Sequence, residues 1–424
     1  MIKFLLKGVL RDKNKSLLPI FVVALGVFLT VLFHSWMTGI LEQSIEFNAQ
    51  FSTGHVKVVT NAYFENKDQK PNDLALINVE EIKKKLKNDY PEMVWAERIL
   101  FGGLIDAPDE KGETKAQGPA AGFGIDMLSE GSKEIDRFNL EKSLKTGRLP
   151  NKRNEILISH DFFQKLGIKL GDPVTLISST MYGGMAFYNF TVAGTVEFGS
   201  AAMDRGSIIA DIQDVKQALN MEDATGELLG FFKNDYFDQE KADRIIADFN
   251  SKYNDPEDEF SPLMVSLRDQ SNMAMFVDFA DAMGGVISAI FIIAMSLVLW
   301  NAGLLGGLRR YGEFGVRLAI GEEKNHLYKT LIYESLIVGI IGSVIGSVAG
   351  IGLSVYLENH GFDTSGMMKD ATIMMPTVFK AKVTTASYYL GFIPGVLSTT
   401  IGSMLAGIGI YKRQTAQLFK QLET

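Results

Sequence analysis

The stretch Ser16-Leu17-Leu18-Pro19-Ile20-Phe21-Val22-Val23-Ala24-Leu25-Gly26-Val27-Phe28-Leu29, which runs on to Leu41 without Asp, Glu, Lys or Arg, decides the class of this molecule. A helix needs roughly 20 apolar residues to cross a bilayer, and this run supplies them. Ala282 to Leu308, Ser335 to Leu357 and Val383 to Tyr411 are charge-free in the same way. Averages over the 424 residues, 46% hydrophobic and 22% charged, hide this clustering. Four such runs exclude a soluble cytoplasmic enzyme and an intrinsically disordered chain. The absence of Cys removes disulfides, thiolate catalysis and Cys-ligated zinc.

A fifth charge-free run, Pro173 to Val196, has the length of a span but not its pattern. It opens on Pro, holds Ser178, Ser179, Thr180 and Asn189, and has Gly183-Gly184 near its middle. Alternation in Val174-Thr175-Leu176-Ile177 and in Phe190-Thr191-Val192 around that pair predicts a β-hairpin.

Lys and Arg concentrate on cytoplasmic flanks of spans. Lys3, Lys7, Arg11, Lys13 and Lys15 precede the first run. Arg309, Arg310, Arg317, Lys324 and Lys329 separate the second from the third, and Lys412, Arg413 and Lys420 follow the fourth. Four spans put these three segments on one side, so both termini are expected in the cytoplasm. Glu42 to Asp281 is acidic on balance and lies on the other side, which argues against nucleic-acid binding. The first run is too long for a signal peptide and lacks a small-residue cleavage site, so it reads as an uncleaved anchor.

The expected fold is a membrane protein of four transmembrane helices with a large α+β extracytoplasmic domain between helices 1 and 2. Residues 1–15 read as a cytoplasmic amphipathic helix, 16–41 as the first span with a stalk extension to about 51, and 52–270 as the external domain. Residues 271–308 form the stalk and second span, 309–330 a cytoplasmic link, 331–357 the third span, 358–384 an external loop, 385–411 the fourth span and 412–424 a cytoplasmic tail. The stalk rests on helical stripes at Trp36, Ile40, Ser44 and Phe51, and at Met275, Phe276, Phe279 and Met283; helix ends at the membrane surface are the plainer alternative. Within the domain, Asn78 with Glu81 reads as a capped helix start. Strands are expected at Val56 to Val59, Val94 to Ile105, Glu155 to Ile158, Val174 to Ile177, Phe187 to Val196 and Ser207 to Ala210. Helices are expected at Ser159 to Leu166, Ile212 to Leu219 and Gln239 to Tyr253.

The link between spans two and three reads Arg309-Arg310-Tyr311-Gly312-Glu313-Phe314-Gly315-Val316-Arg317-Leu318-Ala319-Ile320-Gly321. Its spacing predicts a short amphipathic helix with Phe314, Leu318 and Ile320 available for one surface, charges at Glu313 and Arg317, and a stop at Gly321. Such a helix can pass motion from a cytoplasmic partner to the spans; an ordinary solvated basic loop is the other reading. Glu334, at the start of span three, would be costly unpaired in lipid. It either pairs with Arg309, Arg310 or Arg317 or reaches back to the interface. Gly342, Gly346 and Gly350 lie four apart, a pattern that lets helices approach closely, against a second chain or another span of this one.

The arginine-rich end of span two, then Glu-Phe-Gly-x-x-x-Ala-Ile-Gly from Glu313 to Gly321, then Glu334, resembles the FtsX-like permease family of ABC transporters. Thr53-Gly54-His55-Val56, Lys145-Thr146-Gly147-Arg148-Leu149-Pro150, Asn154-Glu155-Ile156-Leu157-Ile158, Lys165-Leu166-Gly167 and Gly171-Asp172-Pro173-Val174 look like the lipoprotein-releasing permeases (LolC and LolE type) and, more loosely, the MacB type. The resemblance runs along nearly the whole chain, although the polar segments Glu110 to Lys115 and Asp255 to Glu259 are not required by the family pattern. It implies a bacterial inner-membrane permease with a periplasmic domain, whose Glu313, Phe314, Gly315, Val316, Arg317, Leu318, Ala319, Ile320 and Gly321 sit in a groove of a separate ABC ATPase. It also implies two ATPase copies holding ATP and Mg, a second permease copy or homologue, and a lipoprotein cargo passed to a periplasmic carrier.

No G-x-x-x-x-G-K-[ST] occurs, so no cofactor is expected on this chain and hydrolysis is assigned to the partner. The five His show no ligand spacing and no G-x-S-x-G elbow is present, so neither a metal site nor catalytic residues are expected. Two rivals stand beside lipoprotein release: a regulator that activates a periplasmic cell-wall hydrolase without transport, and a MacB-like exporter of peptides or drugs.

Overall fold

A computed structural model describes residues 13–412 except 110, 234–235, 271–272 and 364–377. The helix expected at 1–15 and the tail at 412–424 therefore fall almost wholly outside the described residues. The chain divides into two compact units. One comprises 1–43, 279–363 and 378–424, and the other 44–278 with 364–377.

In chain order the principal elements begin with helix α1 (Lys13–Asn48), which runs into a π-turn at Ala49–Thr53, and strand β1 (Val56–Thr60). Helix α2 (Val79–Asp89) precedes β2 (Met93–Pro108), β3 (Thr114–Ile125), β4 (Leu144–Gly147) and β5 (Glu155–Ser159). Then come α3 (His160–Leu166), β6 (Pro173–Ser179), β7 (Met185–Val196), β8 (Ser207–Asp211), α4 (Ile212–Leu219), β9 (Glu227–Phe232), α5 (Gln239–Tyr253) and β10 (Pro262–Ser266). The remainder is α6 (Met273–Arg309), α7 (Tyr311–Ala319), α8 (Lys324–His360) and α9 (Thr399–Lys412).

Among the described residues, four segments are long and apolar enough to cross a membrane: Ser16–Thr53, Met273–Arg309, Lys324–His360 and Thr385–Lys412. The fourth is not uniformly α-helical. It opens with a 3-10 turn at Thr385–Tyr388 and a π-turn at Ile393–Ser398, and Pro394 in that turn has no N–H to give the helical ladder. Spans one and three meet through the glycine stripe. A methyl at Gly342 would stand 2.7 Å from Val23 Cβ, one at Gly346 2.8 Å from Val27 Cβ, and one at Gly350 3.0 Å from Val31 Cβ. The close approach permitted by the small residues is therefore made within this chain.

Among the described residues, the main sheet of the external unit has ten strands. β2 pairs along its first half with β9, and β9–β1–β10 continue a four-stranded antiparallel sheet. Along its second half β2 pairs with β3 and β6, and the pairings β2–β3–β8–β5–β7–β6–β2 close into a six-strand circuit. β4 pairs with the end of β7 outside that circuit. Ile99, Phe101, Ile105, Ile156, Ile158, Val174, Leu176, Phe190, Ile208 and Ala210 share one core with Phe162 of α3 and Val215 of α4. A separate core places Val56, Val58, Leu228 and Met264 against Leu86 of α2 and Phe249 of α5. The two strands expected around Gly183-Gly184 are β6 and β7, in register from Pro173↔Thr191 to Ser179↔Met185.

Two local expectations fail. Asn78 does not cap α2 with its side chain; its backbone is left-handed, φ 56°, and Asp223 Oδ1 instead accepts from Glu80 N at 3.3 Å. Strands β3, β4, β9 and β10 were not expected. β3 carries Gly118, Gly122 and Gly124, residues that weaken a strand signal, but neighbouring side chains occupy their Cβ positions. Phe162 Cε2 would lie 2.6 Å from a Cβ at Gly118, and Phe101 covers Gly122.

Burial raises the Glu134 pKa, but Arg98 and Arg137 outweigh it and hold the carboxyl below its usual range. Glu97 is lowered in the same way, burial being outweighed by Lys216 and Lys83. A depressed carboxylate adds stability above its unfolded pKa of about 4.3 and loses it as pH falls through the folded value. Unfolding temperature should therefore stay level from neutral pH to about 5 and fall steeply below about 4. A level curve through pH 3 would contradict these pairings.

Candidate functional site

The segment between spans two and three carries the first candidate site. α7 begins at Tyr311, after Arg310, and ends before Gly321, whose φ of +102° suits glycine. Its inner face is fixed to the third and fourth spans. Tyr311 and Phe314 are buried with Leu327, Leu331 and Ile410, and Leu318 packs against them. The Tyr311 hydroxyl donates to Ala406 O at 2.6 Å. Phe314 is only 2% exposed, whereas Ile320 is 82% exposed. The surface expected from Phe314, Leu318 and Ile320 therefore does not exist. At about 100° per residue, positions 314 and 318 fall on the packed face and 320 on another.

Val316, Ala319, Ile320 and Gly321 make the exposed face, while Gly312 and Gly315 are buried. Arg317 donates to both carboxylate oxygens of Glu322 at 2.7 Å, and Glu322 also receives His326 Nδ1 at 2.8 Å. Burial raises the Glu322 pKa, but Arg317 and His326 together outweigh it and bring the carboxyl below its ordinary value. Arg310 is the residue that pairs with Glu334, and it also lies 3.6 Å from Glu313. Of the three arginines open to Glu334, the structure thus selects Arg310, which joins the start of α7 to α8.

The second candidate lies in the external unit, at the turn of the β6–β7 hairpin. Tyr182, Met185 and Phe187 are 78%, 71% and 64% exposed. Sequence reading treats Ser179 to Gly184 as a plain turn; the available signal is three large apolar residues at a tip too short to bury them. A cavity of about 630 Å³ lies beside it, lined by Lys70, Asn72, Asp73, Phe101, Gly102 and hairpin residues including Ser178 and Tyr182. Among the described residues no group of three or more His, Cys, Asp or Glu is placed to hold a metal.

Residues 16–278 match the profile of the MacB-like periplasmic core domain, and residues 285–415 that of the FtsX-like permease C-terminal region. The chain belongs to the FtsX-like permease family. The permease is 22% identical over 243 residues to the lipoprotein-releasing system transmembrane protein LolC of Haemophilus influenzae, covering 56% of this chain and 58% of that one. It spans little more than half the length of that relative. Over 77 residues it is 31% identical to the macrolide export ATP-binding/permease protein MacB of Wolinella succinogenes, covering 18% of this chain and 12% of that one. Among solved structures, the periplasmic region of MacB from Actinobacillus actinomycetemcomitans aligns at TM-score 0.35 and 12% identity, over 52% of the permease and 92% of that chain.

Two segments quoted for their resemblance prove to be local scaffolding of the permease. Arg148 makes a bidentate pair with Glu155 at 2.7 and 2.5 Å, and Asn151 N donates to the same carboxylate at 3.1 Å. This binds Gly147-Arg148-Leu149-Pro150 to Asn154-Glu155. In Thr53-Gly54-His55-Val56, Gly54 takes φ +63°, and a Cβ there would stand 2.7 Å from Val56 O.

Proposed function

We propose that the permease carries the movement of a separate ABC ATPase to its external domain and so releases lipid-anchored proteins from the inner membrane to a soluble carrier. The observation that carries this reading is α7. Val316, Ala319 and Ile320 stand outward on a helix whose other face is packed on the third and fourth spans. A partner seated on that face moves both spans with the helix, because interiors are close-packed and transmit displacement. Two ATPase copies with ATP and Mg, and a second permease copy or homologue, complete the proposed assembly, with both termini of this chain in the cytoplasm.

The choice of lipoproteins is supported by the name of the Haemophilus influenzae relative, and the exposed hairpin apolar residues suit docking by a carrier with an apolar pocket. Co-reconstitution of the permease with its ATPase in proteoliposomes, scored for ATP-dependent release of an acylated protein to the soluble phase, tests it. Absence of release above the ATP-free control removes the cargo assignment, and ATP-driven efflux of a macrolide instead favours the exporter reading. Replacing Tyr182, Met185 and Phe187 together by Ser should lower release about tenfold with ATPase activity unchanged, since a few buried apolar anchors carry most interface energy. Equal release by the triple variant would remove the hairpin from the scheme.

A further inference from the structure

Arg98 is 2% exposed and stands on β2 where pairing to β9 gives way to pairing with β3. Its guanidinium divides its donors between two targets. Nη1 donates to Phe51 O at 2.7 Å and Nη2 to Gln50 O at 2.6 Å. Nε donates to Glu134 Oε2 at 2.7 Å, and Glu134 also accepts from Arg137 Nη1 at 2.8 Å. Gln50 and Phe51 belong to the π-turn that ends α1. The last carbonyls of a helix lack partners inside it and carry its negative dipole end, so a buried cation satisfies both needs. Phe138 and Phe231 flank the guanidinium at 4.6 and 5.9 Å.

A second buried tie holds the preceding turn. Phe232 N donates to His55 Nδ1 at 2.9 Å, which leaves Nε2 to carry the proton that Glu46 Oε2 accepts, also at 2.9 Å. His55 is fully buried. Leu267 N donates to His55 O at 3.2 Å and Gln270 Nε2 to Thr53 O at 3.1 Å, so the chain leaving the domain is bonded to the chain that begins it. None of these groups lies in the α7 segment or the hairpin.

We propose that Arg98, seconded by His55, is the positioning residue of a fixed joint, holding the end of α1 so that displacement of this helix reaches both sheets instead of being absorbed at Glu46–Thr53. The inference rests on the ATP-coupled reading above. Arg98→Lys is the direct test, because an ammonium is a point donor and cannot bridge two carbonyls and a carboxylate as the guanidinium fork does.

The chain has no native Cys, so Ser44→Cys and the exposed Glu141→Cys can carry spin labels in the full permease–ATPase complex. Arg98→Lys should broaden the distance distribution between them, and acylated protein released per ATP should fall about tenfold while ATPase rate stays within about twofold. Glu134→Gln, which keeps an acceptor, should do the same more weakly and serves if Arg98→Lys does not fold. A distribution as narrow as that of the parent overturns the joint. A broadened one with unchanged release per ATP overturns its role in coupling. If the parent complex releases nothing, the function reading fails, and the distance distribution still decides the joint.

Discussion

Replacing Val316 and Ile320 together by Asp is expected to reduce binding of the permease to its ATPase about 1000-fold, with loss of ATP-dependent release and an intact fold, since central apolar anchors are worth about 2 kcal/mol or more each and every 1.4 kcal/mol is about tenfold. Both side chains are exposed in this chain, Ile320 by 82%, so a charge costs nothing there until a partner must bury it. Phe314→Asp should act differently. Phe314 packs against Tyr311, Leu327, Leu331 and Ile410, and a carboxylate among them should cost about 3 kcal/mol or more and keep the permease from accumulating. Co-purification on a tagged ATPase separates the cases: folded but unbound for Val316/Ile320, absent for Phe314. Retention of the Val316/Ile320 variant at parental levels would show that the ATPase does not seat on this face.

Much of the architecture can be read from local pattern. The charge-free runs at Ser16, Ala282 and Ser335 fall in helices because nothing in them interrupts an apolar helix of spanning length. The hairpin is legible because Val174-Thr175-Leu176-Ile177 alternates beside a glycine pair. Strand β3 is illegible for a tertiary reason. Its glycines look like breakers, yet they are where Phe162, Phe101 and Val215 fit; Phe101 faces Gly122 from the adjacent strand β2, and Phe162 and Val215 come from helices α3 and α4 farther along the chain. The same holds for α7, whose spacing marks an amphipathic helix but not which apolar face is already occupied. Ile410 and Leu327 decide that, and neither is near Phe314 in sequence. Arg98 and Glu134 carry no local signal, because their pairing exists only once β2 has been placed beside the end of α1.

Gly346→Leu should be among the most damaging single changes in the membrane unit, and Gly352→Leu, six positions along the same helix, should be harmless. A Cβ at Gly346 would enter the backbone of Ala24 and stand 2.8 Å from Val27 Cβ, whereas at Gly352 nothing lies within 4 Å. The first substitution must push α8 away from α1 along a seam that also holds Gly342 against Val23 and Gly350 against Val31. Backbone atoms cannot yield as a flexible side chain can, so the cost should reach or exceed the roughly 1–3 kcal/mol of ordinary overpacking. The second faces outward, where Leu suits lipid and improves helix propensity by about 0.5–1 kcal/mol over Gly. Thermal unfolding in detergent should therefore drop by at least about 5 °C for Gly346→Leu and stay level or rise for Gly352→Leu. Equal behaviour of the two variants would mean that the stripe does not pack on the first span of its own chain.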